Sequence, residues 1–259
     1  MSEIPQLPSE VPEKPEETEG AEDTFLSHLI ELRDRLIRMM TAVGIIFLAL
    51  APWAKDLYTW LAKPLRAKLP PGGQMIATDI AGVFLMPMKV ALMLAFLIAL
   101  PYVLYQLWSF IAPGLYAHEK KWALPLLAVS VILFFVGMAF AYFLVFPVAF
   151  GFLSSVAPEG VAWMTDIEKY ISFVLRTFLA FGVTFEVPIV VVLLVRMNIV
   201  PLAKLTEWRP YIIVGAFVVG AVLMPPDVVS QFMLAVPLCL LYELGILVAR
   251  LVVKKPVVN

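Results

Sequence analysis

Two glutamates and one arginine, Glu31, Glu119 and Arg33, lie beside apolar segments of the sequence, where a charged side chain needs a partner. Glu31 and Arg33 lie in residues 25–38, a segment of helical periodicity with apolar residues along one face. Arg33 falls inside that apolar stripe, where a cation must extend toward water or pair with a carboxylate. Glu119 lies in a short polar loop at the same end of the apolar segments as Glu31. Two carboxylates at one end could bind a cationic ligand, above all a guanidinium that forms paired hydrogen bonds.

The same charges also fit a purely structural interpretation. The spacing of Glu31–Arg35 and Asp34–Arg38 predicts i,i+4 ion pairs on the polar face of an interfacial helix, each worth about 0.2–0.5 kcal/mol. Glu119 would then belong to a solvated loop end. The pattern alone leaves both interpretations open.

A third carboxylate, Glu186, lies deep in an apolar stretch of the sequence. An ionisable group there is costly, and it indicates either a functional site or a glutamic acid hydrogen-bonded to a neighbouring helix. Pro188 follows two residues later and predicts a local break or kink of the helix. We expect Glu186 to face a water-accessible concavity between helices. Gln231 and Arg176 are weaker cases of the same kind.

The composition of the chain is that of a membrane protein. Of its 259 residues, 62% are apolar and only 15% are charged, whereas about 25% of a typical soluble domain is charged. A fold of this size has too little interior to bury that much apolar surface, so the surrounding solvent is lipid. The composition disfavours a soluble enzyme, a disordered chain and a nucleic-acid binder whose affinity rests on charge.

Motifs of enzyme chemistry are missing from the sequence. It contains no HExxH or GxSxG motif, no Gly-rich phosphate loop and no cluster of metal ligands. Cys239 is the only cysteine, so neither an intrachain disulfide nor a cysteine-based metal site is possible. We expect no enzymatic activity, no metal and no cofactor.

Uncharged stretches of about 20 residues predict six transmembrane helices and an all-α fold. Their ranges are 36–58, 90–117, a third from residue 122 to near Pro147 and Gly151, 171–195, 211–224 and 228–248. The fifth stretch rises only about 21 Å, so it either crosses incompletely or lies in a thinned bilayer. We expect the first outside loop, about residues 59–88, to form short interfacial helices or a cap.

Lysine and arginine are distributed unevenly about these helices. With the N-terminus in the cytoplasm, eleven lie on the cytoplasmic side and five on the far side, which predicts that both termini are cytoplasmic. Residues 1–23 carry a net charge of −7 and four prolines, a composition typical of a disordered acidic tail. Residues 24–252 would form the six-span domain, and residues 253–259 a second cytoplasmic tail.

Several longer motifs resemble one family, the TatC subunit of the twin-arginine protein translocase. They are FLSHLIELRDR at 25–35, MIATD at 75–79, LPYVLYQLWSFIAPGLY at 100–116, HEKK at 118–121, GMAFAYF at 137–143, FEVP at 185–188 and PPDVVSQ at 225–231. They occur in order through nearly the whole chain, which makes the resemblance specific. Relatives commonly have a hydroxyl residue just before the Pro-Pro-Asp turn, and this chain has Met224 there. Because methionine adapts to packing surfaces, a contact with a partner helix could persist with less polarity.

The resemblance implies a concave, glove-like arrangement of six helices in the bacterial inner membrane, with both termini cytoplasmic. It also implies a receptor that binds twin-arginine signal peptides of folded precursors at the cytoplasmic face. Such a receptor works with TatA- and TatB-type single-span proteins, self-associates in the complex and is driven by the proton-motive force. The implied signal-peptide-binding residues are Glu31, Arg33, Phe110 and Glu119. The implied contacts of an inserted or partner helix are Glu186 and Gln231.

A secondary transporter of a small cationic solute is the alternative function. Such a transporter would show internal repeats and several ionisable or helix-breaking pairs near the middle of the membrane. The sequence has one strong acid in the middle of a span and no evident repeat. A receptor for twin-arginine signals is therefore the favoured function.

Overall fold

Helices make up almost all of the computed structural model, which describes residues 16–66, 75–76, 79–111, 120–156, 165–224 and 227–252. In chain order the helices are α1 (Glu16–Leu50), α2 (Ala54–Arg66), α3 (Ile80–Ile111), α4 (Lys120–Phe140), α5 (Phe146–Val156), α6 (Ile167–Phe185), α7 (Val187–Arg196), α8 (Leu202–Glu207), α9 (Arg209–Leu223) and α10 (Val228–Val252). A 3₁₀ turn at Ala51–Trp53 joins α1 to α2, and a π turn at Ala141–Val145 joins α4 to α5. The predicted all-α class is confirmed.

Five helical stretches of the described chain are long and apolar enough to cross a membrane. They are Leu29–Trp60, Ala81–Ile111, Leu124–Phe152, Ile167–Arg196 and Val228–Val252. The remaining predicted span corresponds to α9, whose 15 residues rise about 23 Å against a bilayer core of about 30 Å. The predicted shortness of this helix is confirmed.

The third stretch continues further than the sequence indicates. The prediction ends it near Pro147 or Gly151, whereas α5 runs on to Val156. Pro147 is the second residue of α5, a position where the missing N–H disturbs a helix least. The π turn directly before it absorbs the change in hydrogen-bond pattern.

The first helix begins earlier than the sequence indicates. Residues 16–23, assigned above to a disordered tail, are the start of α1. Acidic residues are favourable at a helix N-terminus, where they interact with the positive end of the helix dipole, and glutamate is a good helix former. Helix α1 therefore extends beyond its spanning part, which begins at Leu29, through this acidic segment. Residues 1–15 and the predicted tail 253–259 lie outside the described residues.

Helices α4 and α6 approach each other closely at two glycines. A Cβ added to Gly137 would lie 2.4 Å from the backbone oxygen of Phe181, and one added to Gly182 would lie 2.4 Å from the ring of Phe134. Small residues permit such backbone approach between membrane helices. The close approach brings Ser130 of α4 near the C-terminal end of α6.

A second set of contacts joins parts of the chain to each other at the end of the helix bundle opposite Glu31. Strands β1 (Met75–Ile76) and β2 (Thr165–Asp166) form a two-residue parallel pair. Next to it, Lys89 of α3 donates to Glu168 of α6, with 2.6 Å between Nζ and Oε1. We call the strand pair and this ion pair the far-end clasp. The region predicted as a cap or interfacial helices, residues 59–88, contains the end of α2 and strand β1. Residues 80–88 of it are instead the first turns of α3, which begins earlier than the predicted span 90–117, and residues 67–74 and 77–78 lie outside the described part.

Helix α3 lies at the centre of the part of the helix bundle that contains α1. It packs against α1, α2, α4 and α6, and it contains two interior prolines, Pro87 and Pro101. The largest apolar cluster around it includes residues from α4 and α7 as well. This position gives α3 contacts with both groups of polar residues described next.

Candidate functional site

Glu31 is part of a hydrogen-bonded network between α1 and α3. Its Oε1 accepts from Arg35 Nε at 2.9 Å and from Arg35 Nη2 at 2.7 Å. Arg35 Nη1 donates to Gln106 Oε1 at 3.1 Å, and Gln106 Nε2 donates to the Tyr102 hydroxyl at 2.9 Å. The predicted i,i+4 pair of Glu31 and Arg35 is therefore formed, and it is anchored to α3. We call these four residues the α1–α3 network.

Sequence reasoning missed the α3 members of this network. Tyr102 and Gln106 are four residues apart and so lie on one helix face, but a tyrosine and a glutamine in an apolar stretch are not distinctive. Gln106 is buried, and a buried amide needs hydrogen-bond partners. That requirement is the signal that links it to the charged segment of α1.

Arg33 is arranged differently from Arg35. Its Nε and Nη2 donate to Asp34 Oδ1 at 3.0 and 2.8 Å, and its side chain is 66% exposed. The expectation that it pairs with a carboxylate is met by its neighbour. Within the described residues the predicted pair of Asp34 with Arg38 is not formed, because Asp34 turns toward Arg33.

The other two predicted members of the binding surface are only partly described. Phe110 lies in the last turn of α3, half-buried, one residue before the helix ends. Glu119 lies outside the described residues. Glu31 and Arg33 therefore lie on the same helix but have different partners, Arg35 and Asp34. The closeness of the two carboxylates stays a prediction.

Glu186 occupies the junction between α6 and α7. The break predicted from Pro188 is present, because α6 ends at Phe185 and α7 begins at Val187 with the proline at its second position. The Ser130 hydroxyl of α4 donates to Glu186 Oε2, and the indole Nε1 of Trp108 donates to Ser130 Oγ at 2.9 Å. All three side chains are buried. We call them the Glu186 network.

The surroundings of Glu186 differ from the expectation of a water-accessible concavity. Only 7% of the residue is exposed, because the helix break lies directly against α4 and Ser130 supplies a hydrogen bond there. Its second oxygen, Oε1, is buried without a hydrogen-bond partner among the described residues. Sequence reasoning found Glu186 but missed Ser130 and Trp108, since neither type is unusual in an apolar span.

Gln231 joins α9 to α10. Its Nε2 donates to the backbone oxygen of Phe217 at 2.8 Å, and its backbone and side chain lie against Gly220. Met224 is buried in an apolar cluster with Phe185 and Leu234, among others. Met224 therefore fills space inside the protein rather than at its surface.

These arrangements bind polar groups by hydrogen bonds and ion pairing. No group of three or more histidine, cysteine, aspartate or glutamate residues suited to a metal occurs in the described part of the chain. Glu31 Oε1 accepts two N–H groups of one guanidinium, so this carboxylate forms charge-assisted hydrogen bonds with an arginine. Together with the five apolar spans, this defines a multi-pass helical membrane protein.

Comparison with known proteins assigns the family. Residues 27–237 match TatC, the Sec-independent protein translocase protein. The protein of that name from Azotobacter chroococcum mcd 1 is 58% identical over 222 residues, 86% of this chain and 87% of the relative. The one from Escherichia coli (strain K12) is 52% identical over 238 residues, 91% of this chain and 92% of the relative.

Solved structures agree with the sequence comparison. A crystal structure of the twin arginine translocase receptor TatC matches with a TM-score of 0.76 and 40% identity, and it covers 86% of this chain and 98% of that chain. A second one, in DDM, has a TM-score of 0.77 and 39% identity. The chain belongs to the TatC family. This membership does not favour the alternative of a small-solute transporter.

Proposed function

We propose that this chain is the receptor subunit of a twin-arginine translocase and binds twin-arginine signal peptides of folded precursors. The relatives named above are translocase proteins, and the solved structures are described as twin arginine translocase receptors. The observation that carries the proposal is the pairing of Glu31 with a guanidinium by two N–H groups. The same carboxylate is suited to an arginine of a signal peptide.

The binding surface consists of Glu31, Arg33, Phe110 and Glu119. The Glu31 side chain is 42% exposed, so a peptide can reach it from the aqueous side. Arg35 holds the carboxylate in place from the protein side, because Gln106 fixes the far edge of its guanidinium. Phe110 offers an apolar contact close to the end of α3, and Glu119 offers a second negative charge for the second arginine.

The topology follows from the charge distribution and from α9. With α9 as a sixth crossing, both termini lie in the cytoplasm of a bacterial cell, and the α1–α3 network faces the cytoplasm. Residues 24–252 form the membrane domain, between an acidic N-terminal tail and a short C-terminal one. TatA- and TatB-type single-span proteins contact the membrane domain near Glu186 and Gln231. Further copies of this chain join the complex. The proton-motive force drives transport, and no enzymatic chemistry is needed.

Selectivity for arginine over lysine tests the proposal. The full-length protein in lipid nanodiscs is titrated with a twin-arginine signal peptide and with the same peptide carrying two lysines. We expect the arginine peptide to bind at least about tenfold more tightly, because a guanidinium forms paired hydrogen bonds with a carboxylate and an ammonium does not. Equal affinities would contradict a guanidinium-specific site.

A pair of variants assigns the binding to Glu31. Glu31→Gln keeps the size of the side chain and removes its charge. Glu243→Gln removes a carboxylate that is also ion-paired with an arginine, Arg209, at 2.6 Å. We expect weaker peptide binding for the first variant and unchanged binding for the second.

A further inference from the structure

We propose that Trp108 and Ser130 are positioning residues that hold Glu186 Oε2 as a hydrogen-bond acceptor and leave Oε1 to bind a polar group on an inserted helix. This inference rests on the proposed translocase function for its biological meaning. Its structural part concerns three side chains of this chain only. The guest group is of one chemical class, a neutral hydroxyl or carboxamide of a transmembrane helix, which can donate a hydrogen bond to Oε1 or accept one from it.

The direction of the hydrogen bonds follows from the donors available. An indole N–H only donates, so Ser130 Oγ is the acceptor of the 2.9 Å bond from Trp108. The hydroxyl has a single hydrogen, and Glu186 Oε2 is its acceptor among the described residues. A buried hydroxyl hydrogen without an acceptor is unfavourable. Oε2 therefore accepts, and a proton carried by this carboxyl group would lie on Oε1.

The remaining oxygen is the functional end of the side chain. Glu186 Oε1 is buried and has no hydrogen-bond partner in the described part of the chain. The nearest hydroxyl along the helix, Thr184 Oγ1, donates to the backbone oxygen of Ala180 at 2.7 Å. Because Oε1 is buried, a polar group of an inserted helix reaches it only by displacing the side chains that cover it. That group then satisfies an oxygen that the folded chain leaves unsatisfied, which favours its binding.

The apolar surroundings strengthen this arrangement. Trp108 belongs to a buried cluster with Leu100, Leu104, Phe134, Ile189 and Leu193. Hydrogen bonds in such low-dielectric surroundings are stronger than in water. With its indole fixed by packing, Trp108 orients Ser130, and Ser130 orients Glu186.

Infrared spectroscopy tests the structural part without any transport assay. The carboxyl band of Glu186 is identified in the full-length protein by its loss in Glu186→Gln. We expect Ser130→Ala to shift that band, because Oε2 loses its donor, and Thr177→Val to leave it unchanged. Thr177 is an equally buried hydroxyl on α6, which makes it a matched control. An unshifted band in Ser130→Ala would overturn the proposal.

A double-mutant comparison tests the functional part. We expect Ser130→Ala to lower precursor transport about tenfold while peptide binding stays unchanged, and to have no further effect in the Glu186→Ala background. Equal losses in both backgrounds would mean that Ser130 acts only on packing and would overturn the inference, as would unchanged transport in Ser130→Ala. Failure of the unmodified protein to bind twin-arginine peptide would instead reject the proposed function, and the infrared result would still decide the positioning role.

Discussion

The close approach of α4 and α6 makes Gly137→Ala a sharp test of the packing described above. The added Cβ would lie 2.4 Å from the backbone oxygen and 2.9 Å from the backbone carbon of Phe181. Ordinary contact needs 3.4–4 Å, so the two helices must separate by roughly 1 Å, in the range where overpacking costs about 1–3 kcal/mol. Backbone atoms cannot rotate away as the end of a side chain can, so we expect the upper part of that range.

Thermal unfolding of the purified protein in detergent measures the effect. For a chain of this size, each kcal/mol corresponds to a decrease in Tm of roughly 2–4 °C, so we expect Gly137→Ala to unfold about 4–12 °C earlier. Gly44→Ala is the matched control, since nothing lies within 4 Å of its added Cβ. Alanine is favoured over glycine in a helix by roughly 0.5–1 kcal/mol, so this control should be neutral or slightly stabilising. A Tm of Gly137→Ala at or above that of Gly44→Ala would refute the reasoning.

Three further predictions concern polar groups. Lys89→Met should lower the free energy of unfolding, measured by chemical denaturation, by about 1–2 kcal/mol, between the values for exposed and buried ion pairs. The double variant Lys89→Met/Glu168→Gln should recover part of this loss, because it also removes the carboxylate left without its partner. Glu186→Gln should retain most precursor transport because an amide keeps hydrogen-bonding capacity, whereas Glu186→Ala should impair a step after peptide binding; equal losses in a vesicle transport assay would contradict this. Gln231→Leu should destabilise the protein by about 1 kcal/mol, detected as a lower Tm, because the hydrogen bond from the Gln231 side chain to the Phe217 carbonyl is lost.

Much of the architecture could be predicted from the sequence because lipid imposes a simple rule. A span must be apolar for about 20 residues, and charged residues therefore locate the boundaries of most helices. The rule fails where local chemistry intervenes. Pro147 does not end its helix because the π turn before it absorbs the missing hydrogen bond. The acidic residues 16–23 are helical because acidic side chains are favourable at a helix N-terminus.

The site could be predicted only where a residue type was unusual for its surroundings. Glu31 and Glu186 were found because a carboxylate beside or inside an apolar segment needs a reason. Their partners Gln106, Ser130 and Trp108 were not found, because the contacts join residues that are distant in the sequence. The separation is 71 positions for Arg35 and Gln106, 56 for Ser130 and Glu186, and 22 for Trp108 and Ser130. Such pairing depends on how helices cross, which a single sequence does not specify.

The two networks meet on one helix. Gln106 and Trp108 are two positions apart on α3, and at about 100° per residue their side chains leave the helix in nearly opposite directions, one to Arg35 of α1 and the other to Ser130 of α4. A substitution that turns or shifts α3 disturbs hydrogen bonds on both sides at once. A defect caused by a change in α3 therefore does not by itself identify the step of translocation that failed. Variants in α1 and in α4 separate the two, because each of those helices contributes to one network alone among the contacts described.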